Sequence, residues 1–135
     1  MSTANAGRAV PTARTALLAL LCDAALVLVF AASGRRSHAR DATLVGLLQT
    51  AWPFLAGLGL MWLVLLAWRR PLSIVRIGIP LWLGTVLIGM LLRLVSGAGT
   101  ALPFVLVATG AIGVLFIGWR AIALLALRLR GRRAE

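Results

Sequence analysis

The sequence predicts an all-α integral membrane protein, a four-helix bundle with both chain termini in the cytoplasm. Of its 135 residues, 61% are hydrophobic and 13% are charged, and the mean hydropathy is +1.02. Soluble domains average roughly 45–50% apolar and about 25% charged residues. A soluble bundle of this size would expose too much surface for so few charges. The composition therefore excludes most soluble enzymes, and the lone Cys22 excludes a disulfide scaffold.

Four segments are long and apolar enough to cross a hydrocarbon core of about 30 Å, which takes about 20 residues. We expect the spans at residues 15–33, 44–68, 72–95 and 101–120, inside a membrane domain of residues 15–127. The helical pattern of the last span continues past Arg120 to Leu129. A disordered N-terminal tail is expected over residues 1–14, and a basic C-terminal tail over 128–135. A cleavable signal peptide is the alternative for the first span, but the apolar run is long and contains Asp23.

The breaks between these spans are polar or rich in turn residues. The first span ends at a polar loop over residues 34–41, and the second ends at Arg69-Arg70-Pro71. Proline ends one helix there and suits the first turn of the next. Between the third and fourth spans, residues 96–100 form a small uncharged connection containing two glycines.

The distribution of arginine predicts the orientation. The chain has 14 arginines, no lysine and three acidic residues. Nine arginines lie in the two tails and the Arg69–Arg76 turn, against three in the 34–41 loop, or four with Arg93. The side with more arginine is expected to be cytoplasmic, with Trp68, Trp119 and Arg120 at its interface, in a multi-pass protein of the plasma membrane.

Asp23 is the most informative residue because it falls near the middle of the first span. A charge there costs about 2.5–3.5 kcal/mol, so the side chain should face the bundle interior and have a partner. Depths from a rise of about 1.5 Å per residue favour a hydrogen bond to Thr85 or Thr109, with Arg93 as an alternative charge partner and Arg120 further away. Whether Asp23 is functional or only holds helices together stays open.

Small and polar residues share one face of the third span, which indicates close helix contact. These residues are Gly78, Trp82, Thr85, Gly89, Arg93 and Ser96. The fourth span has a similar face containing Thr109, Gly110, Gly113 and Arg120.

A second candidate site lies at the outer end of the bundle. Its residues are Arg35, Arg36, His38, Gln49, Thr50 and Trp52. No paired carboxylates, metal-ligand cluster or nucleophile motif occurs in the sequence, so we predict no catalytic residues, no metal and no cofactor. Arginines scattered at helix ends suit lipid headgroups rather than nucleic acid.

The residues also resemble a known family. Gly34-Arg35-Arg36-Ser37-His38, Thr50-Ala51-Trp52-Pro53-Phe54, Gly89 to Arg93 and Gly118-Trp119-Arg120 look like the pattern of domain of unknown function 3054. The resemblance covers about Leu17 to Leu127. It implies a small four-span membrane protein without an established activity. It also implies that Asp23, Gly34, Arg35, His38, Trp52, Pro53, Phe54, Arg93, Trp119 and Arg120 are the family's motif residues.

Three functions remain open at this point, and the sequence slightly favours the first. The first is a small proton- or cation-coupled transporter or channel component with Asp23 as the coupling carboxylate; it requires a homo-oligomer, because four short helices enclose little space. The second is a non-catalytic structural or regulatory subunit beside a larger membrane partner. The third is a lipid- or pigment-related membrane enzyme or binder that uses the outer loop together with Arg93. Membrane lipids are the expected surroundings in all three cases.

Overall fold

The computed structural model describes residues 11–36 and 43–135, and this part of the chain is helical throughout apart from its connections. The four α-helices are α1 (Ala13–Arg36), α2 (Leu44–Val64), α3 (Ile79–Val95) and α4 (Leu102–Arg133). The all-helical prediction is confirmed. Each helix is long and apolar enough to cross a membrane, α3 together with the π-helical turn that precedes it.

Threonine hydroxyls cap the N-termini of α1 and α2, and a proline lies in the first turn of α4. The Thr12 hydroxyl accepts a hydrogen bond from the Thr15 backbone N–H at the start of α1 (3.2 Å), and Thr43 accepts one from Gly46 at the start of α2 (3.1 Å). Such caps satisfy backbone N–H groups that have no partner inside the helix. Pro103 stands in the first turn of α4, where its missing N–H costs nothing.

The connection from α2 to α3 differs from the expected spans. Helix α2 ends at Val64 rather than at 68, because Leu66 adopts a left-handed conformation (φ 52°) and a 3₁₀ turn follows over Ala67–Arg69. The third span begins with a π-helical turn over Ile74–Gly78 rather than with an α-helix at 72. This wider turn comes directly before Pro80 in the first turn of α3, so that proline does not interrupt an α-helix.

The first and last helices are longer than expected. Helix α1 includes Arg35 and Arg36, which the sequence placed in a loop. Helix α4 continues through Arg133 and so includes most of the stretch expected to be a tail from residue 128. Its 32 residues extend roughly 48 Å, well beyond a hydrocarbon core of about 30 Å.

The helices form a ring in which each packs against the next and α1 closes against α4. One layer of side chains lies at the end where α2 joins α3; it contains Asp23, Trp62 and Arg120. A second layer lies towards the hairpin between α3 and α4. There the ring of Phe54 lies 5.5 Å from that of Phe30 and 6.3 Å from that of Phe104. In α1 the chain passes from the layer of Asp23 to that of Phe30, and in α2 it returns from Phe54 to Trp62. Helix α4 likewise runs from Phe104 to Arg120. Consecutive helices are therefore antiparallel.

Glycines bring the helices together, as the sequence predicted for Gly78, Gly89 and Gly113. A Cβ atom on Gly89 would lie 2.5 Å from the Phe54 ring, and one on Gly113 would lie 2.6 Å from the Trp82 ring. The Trp82 indole also donates a hydrogen bond to the Thr109 carbonyl (2.7 Å). Gly110 was expected to share this contact but has nothing within 4 Å of its Cβ position.

These two glycines of α4 give a matched test of the packing. We expect Gly113→Ala to destabilise the bundle by about 1–3 kcal/mol, because a rigid indole occupies the position of the new methyl group. Gly110→Ala should be neutral or stabilising by up to about 1 kcal/mol, since alanine favours a helix and meets no neighbour. Denaturant unfolding of both variants in detergent micelles measures the difference. Equal effects of the two substitutions would contradict the packing described here.

Candidate functional site

Asp23 is fully buried and is the centre of a polar cluster. Its Oδ1 accepts hydrogen bonds from Trp119 Nε1 (2.8 Å) and Arg120 NH1 (2.9 Å). Its Oδ2 accepts from Trp62 Nε1 (3.1 Å) and Arg120 NH2 (2.7 Å). Helices α1, α2 and α4 therefore meet at a single carboxylate group.

Arg120 donates hydrogen bonds from all three nitrogens of its guanidinium. The two terminal nitrogens form a bidentate pair with Asp23, and this is a salt bridge in which both side chains are completely inaccessible to solvent. Nε donates to the carbonyl of Pro71 (2.9 Å), and NH1 also donates to the carbonyl of Phe116 (3.1 Å). The guanidinium carbon lies 4.7 Å from the centre of the Trp119 ring, close enough for a cation–π contact.

The α2–α3 connection is held in place by this arginine. Pro71 is fully buried, and its carbonyl receives the Nε hydrogen of Arg120. On the α3 side, a Cβ atom added to Gly78 would lie 3.3 Å from Cδ of Arg120, so glycine leaves room for the arginine side chain. All four spans thus contribute to the cluster.

The buried charges of Asp23 and Arg120 depend strongly on each other. Two opposite charges attract far more strongly in a buried site than in water, but each also loses its hydration. The pair is tolerated because every oxygen of the carboxylate has hydrogen-bond donors. Removing one partner of such a buried pair typically costs about 3–5 kcal/mol, because the other charge is left uncompensated.

The expected partners of Asp23 are wrong. Thr85 is fully buried, but its hydroxyl has no hydrogen-bond partner. The Thr109 hydroxyl donates to the Val105 carbonyl of its own helix (2.7 Å). The difference lies in depth. Positions within the expected spans put Asp23, Thr85 and Thr109 together near the midplane, whereas Asp23 lies level with Trp62, near the end of α2.

Arg93 is also not a partner of Asp23. It lies near the end of α3, where Nε donates to the Gly99 carbonyl (3.2 Å) and NH2 to the Ala98 carbonyl (3.1 Å). Its guanidinium carbon lies 4.2 Å from the centre of the Phe104 ring. Positive φ angles at Gly97 (76°) and Gly99 (79°) let the backbone turn around this side chain. Arg93 therefore stabilises the α3–α4 hairpin.

The predicted cytoplasmic interface is only partly consistent with the structure. Trp68 is 41% exposed and can reach an interface. Arg120 cannot serve as an interfacial residue, since it is completely buried against Asp23. Trp119 is half-buried and directs its indole N–H into the cluster.

The candidate outer-face site is not brought together by the contacts of its described members. Gln49 and Trp52 have exposed side chains, and the Thr50 hydroxyl donates to the Gly46 carbonyl within α2. Arg35 and Arg36 belong to the last turn of α1. His38 lies outside the described residues.

Trp62 and the carbonyl of Pro71 were not predicted as members of the cluster; Pro71 was expected only to end a helix. A tryptophan N–H is a hydrogen-bond donor that normally finds a partner when buried, and this was the signal that could have linked Trp62 to the single intramembrane acid. Arg120, which lies where the helical pattern of the fourth span continues, was the positive charge that could have been matched to Asp23. Among the described residues, no three His, Cys, Asp or Glu side chains lie together as a metal site would require.

The fold and the cluster define a class: a small protein whose described residues form four helices, each able to span a membrane, around a buried ion pair. A family model described as protein of unknown function (DUF3054) matches residues 20–123. The chain belongs to this family. Comparisons with curated proteins and with solved structures found no match. The resemblance seen in the sequence is confirmed, and it leaves the activity open.

The ion pair can be tested by a double-mutant cycle. We expect Asp23→Asn and Arg120→Gln each to destabilise the protein by about 3–5 kcal/mol, because each leaves an unpaired buried charge. The double variant should be less destabilised than the sum of the two, since neither charge remains. The measurement is denaturant unfolding in micelles. Additive effects would show that the two side chains do not interact.

Proposed function

We propose that this protein is a non-catalytic subunit of a membrane assembly, in which the Asp23–Arg120 cluster fixes the four spans relative to each other. The observation that carries the proposal is the saturation of Asp23: four N–H groups from three side chains surround its two oxygens. A coupling carboxylate in a transporter must be available to a proton or cation. In this arrangement the carboxylate is already committed to Arg120.

The outward surface suits a subunit that packs beside other helices. Large apolar side chains cover the outside of the bundle, among them Leu63 of α2 and Val114 and Ile122 of α4, all more than 60% exposed. In a membrane such faces meet lipid or another helix. The same surface supports insertion as a multi-pass protein of the plasma membrane.

Both termini are proposed to be cytoplasmic. The arginines of the α2–α3 connection and of the α4 C-terminus lie at one end of the bundle, because α4 passes the connection at Arg120 and continues to Arg133. The positive-inside rule favours that end for the cytoplasm.

A single introduced cysteine tests this orientation. In a Cys22→Ala background, we expect Ala134→Cys to be protected from a membrane-impermeant thiol reagent in intact cells and labelled after permeabilisation. Ala98→Cys, in the α3–α4 hairpin, is the matched control and should be labelled in intact cells. The opposite pattern would reverse the predicted topology.

A proton- or cation-coupled transporter or channel component is the second candidate function. The observation in its favour is that the carboxylate of Asp23 joins α1 to α4 through its ion pair with Arg120, so that loss of this contact would separate the two helices. The orphaned Thr85 hydroxyl is an additional buried polar group that could bind a permeating ion. In this case the cluster would open and close during transport.

The subunit proposal is tested by photo-crosslinking in native membranes. Three variants are made, each with a photoreactive residue in place of Leu63, Val114 or Ile122. These exposed side chains lie at different places on the outer surface of the bundle. We expect a protein adduct of defined mass confined to one face, because a specific neighbour covers one face. Lipid adducts alone at all three positions would overturn the proposal.

Reconstituted vesicles separate the two candidates. Proton and potassium flux into vesicles with the wild-type protein should equal that of empty vesicles if the protein is a subunit. Flux that Asp23→Asn abolishes, while the folded protein is retained, would establish transport instead. The double variant Asp23→Asn/Arg120→Gln is the control, since it removes the carboxylate without leaving an unpaired charge.

A further inference from the structure

Helix α4 extends past the rest of the bundle at the end where α2 joins α3. It passes the connection at Arg120, which donates to the Pro71 carbonyl, and it ends at Arg133, about 20 Å further along its axis. Every residue from Leu125 onwards is exposed. The arginines of this stretch are therefore carried at fixed positions on a helix and not on an irregular tail. These residues, the basic end of α4, are Arg128, Arg130, Arg132 and Arg133.

The polarity of this segment changes along the helix axis and not around it. The leucines and the isoleucine between residues 122 and 127 come first, and at about 100° per residue they point to several sides. The arginines from residue 128 to residue 133 follow and spread over more than half of the circumference by the same spacing. A helix that docks in a protein groove has its apolar residues on one face. A change along the axis instead suits a helix that passes from hydrocarbon into the headgroup layer of a bilayer.

The basic end of α4 contains two pairs of like charges. Arg128 and Arg132 are four residues apart, and Arg130 and Arg133 are three apart, so each pair shares one side of the helix. Like charges at these spacings repel each other, and no acidic side chain of the described residues forms a salt bridge with any of the four. Two guanidinium groups one helical turn apart can donate together to the oxygens of one phosphate group. A phosphate bound between them would replace repulsion with attraction.

The surroundings of these arginines favour a lipid as the source of the phosphate. Arg69, Arg70 and Arg76 lie at the same end of the bundle, in the α2–α3 connection and the π-helical turn, so a second copy of the chain would be repelled there. Leu127 and Leu129 are 53% and 51% exposed and stand next to the arginines. The ligand therefore presents apolar groups directly beside its negative charge, as an anionic phospholipid does. Binding of nucleic acid would instead call for polar or stacking side chains among the arginines.

We propose that the basic end of α4 binds anionic phospholipids of the leaflet on that side, with one phosphate group held by Arg128 and Arg132 and a second by Arg130 and Arg133. The exposed leucines contact the acyl chains of the same lipids. A net negative charge is required, because the arginines would repel the choline group of a zwitterionic lipid. This site lies beyond the Asp23–Arg120 cluster and does not depend on the proposed subunit function.

Selective retention of lipid by the full-length protein tests the proposal. The protein is reconstituted with equal parts of phosphatidylglycerol and phosphatidylcholine and exchanged into mild detergent, and native mass spectrometry counts the retained lipids. The wild type should retain phosphatidylglycerol in preference, up to two molecules per chain. Arg128→Gln/Arg132→Gln should lower the ratio of phosphatidylglycerol to phosphatidylcholine by about fivefold or more, because each arginine near an anionic surface contributes about that factor. Arg130→Gln/Arg133→Gln should have a similar effect.

The matched control is Arg35→Gln/Arg36→Gln, which removes the same charge from the last turn of α1, at the opposite end of the bundle. Its lipid ratio should equal that of the wild type. An equal loss in this control would overturn the proposal, as would a wild type that retains both lipids equally. Displacement of the lipid by inorganic phosphate at constant ionic strength would assign the site to free phosphate. Nucleic acid or an acidic protein bound to the wild type in place of phosphatidylglycerol would also overturn it.

Discussion

A carboxylate and a guanidinium occupy one solvent-inaccessible position near the end of the bundle where α2 joins α3, and the arrangement of all four spans depends on them. Neither charge could stay there alone, since an unpaired buried charge is far more costly than a buried pair. Asp23 therefore requires Arg120, and Arg120 requires the carbonyls of Pro71 and Phe116 to satisfy its remaining N–H groups. The consequence is that the connection between two helices is fixed by a side chain from a third region of the sequence.

The two ends of the bundle are stabilised by different physics. At the α2–α3 end, the ion pair between Asp23 and Arg120 holds the helices together. Trp62 and Trp119 donate N–H groups to the carboxylate, and their rings lie beside the pair. At the α3–α4 end, Phe30, Phe54 and Phe104 pack against each other and Arg93 covers the last of these rings. Gly89 leaves room for the Phe54 ring within the aromatic layer, and Gly113 leaves room for the Trp82 ring.

This division bears directly on function. A fully hydrogen-bonded carboxylate is suited to holding helices together, and the apolar outer surface is suited to contact with lipid or other helices. Membership of the DUF3054 family fits this description without adding chemistry to it.

Composition and hydropathy were sufficient to predict four apolar helices, because the length and polarity that a bilayer requires are properties of each segment alone. The importance of Asp23 and the close contacts at Gly89 and Gly113 also followed from single residues and helical spacing. The partner of Asp23 did not. Its identity depends on the level of each helix relative to its neighbours, and the left-handed Leu66 and the π-helical turn before Pro80 change that level between α2 and α3. Those offsets arise from packing among distant segments, so only the tertiary structure could decide that Arg120, Trp62 and Trp119 meet at one carboxylate.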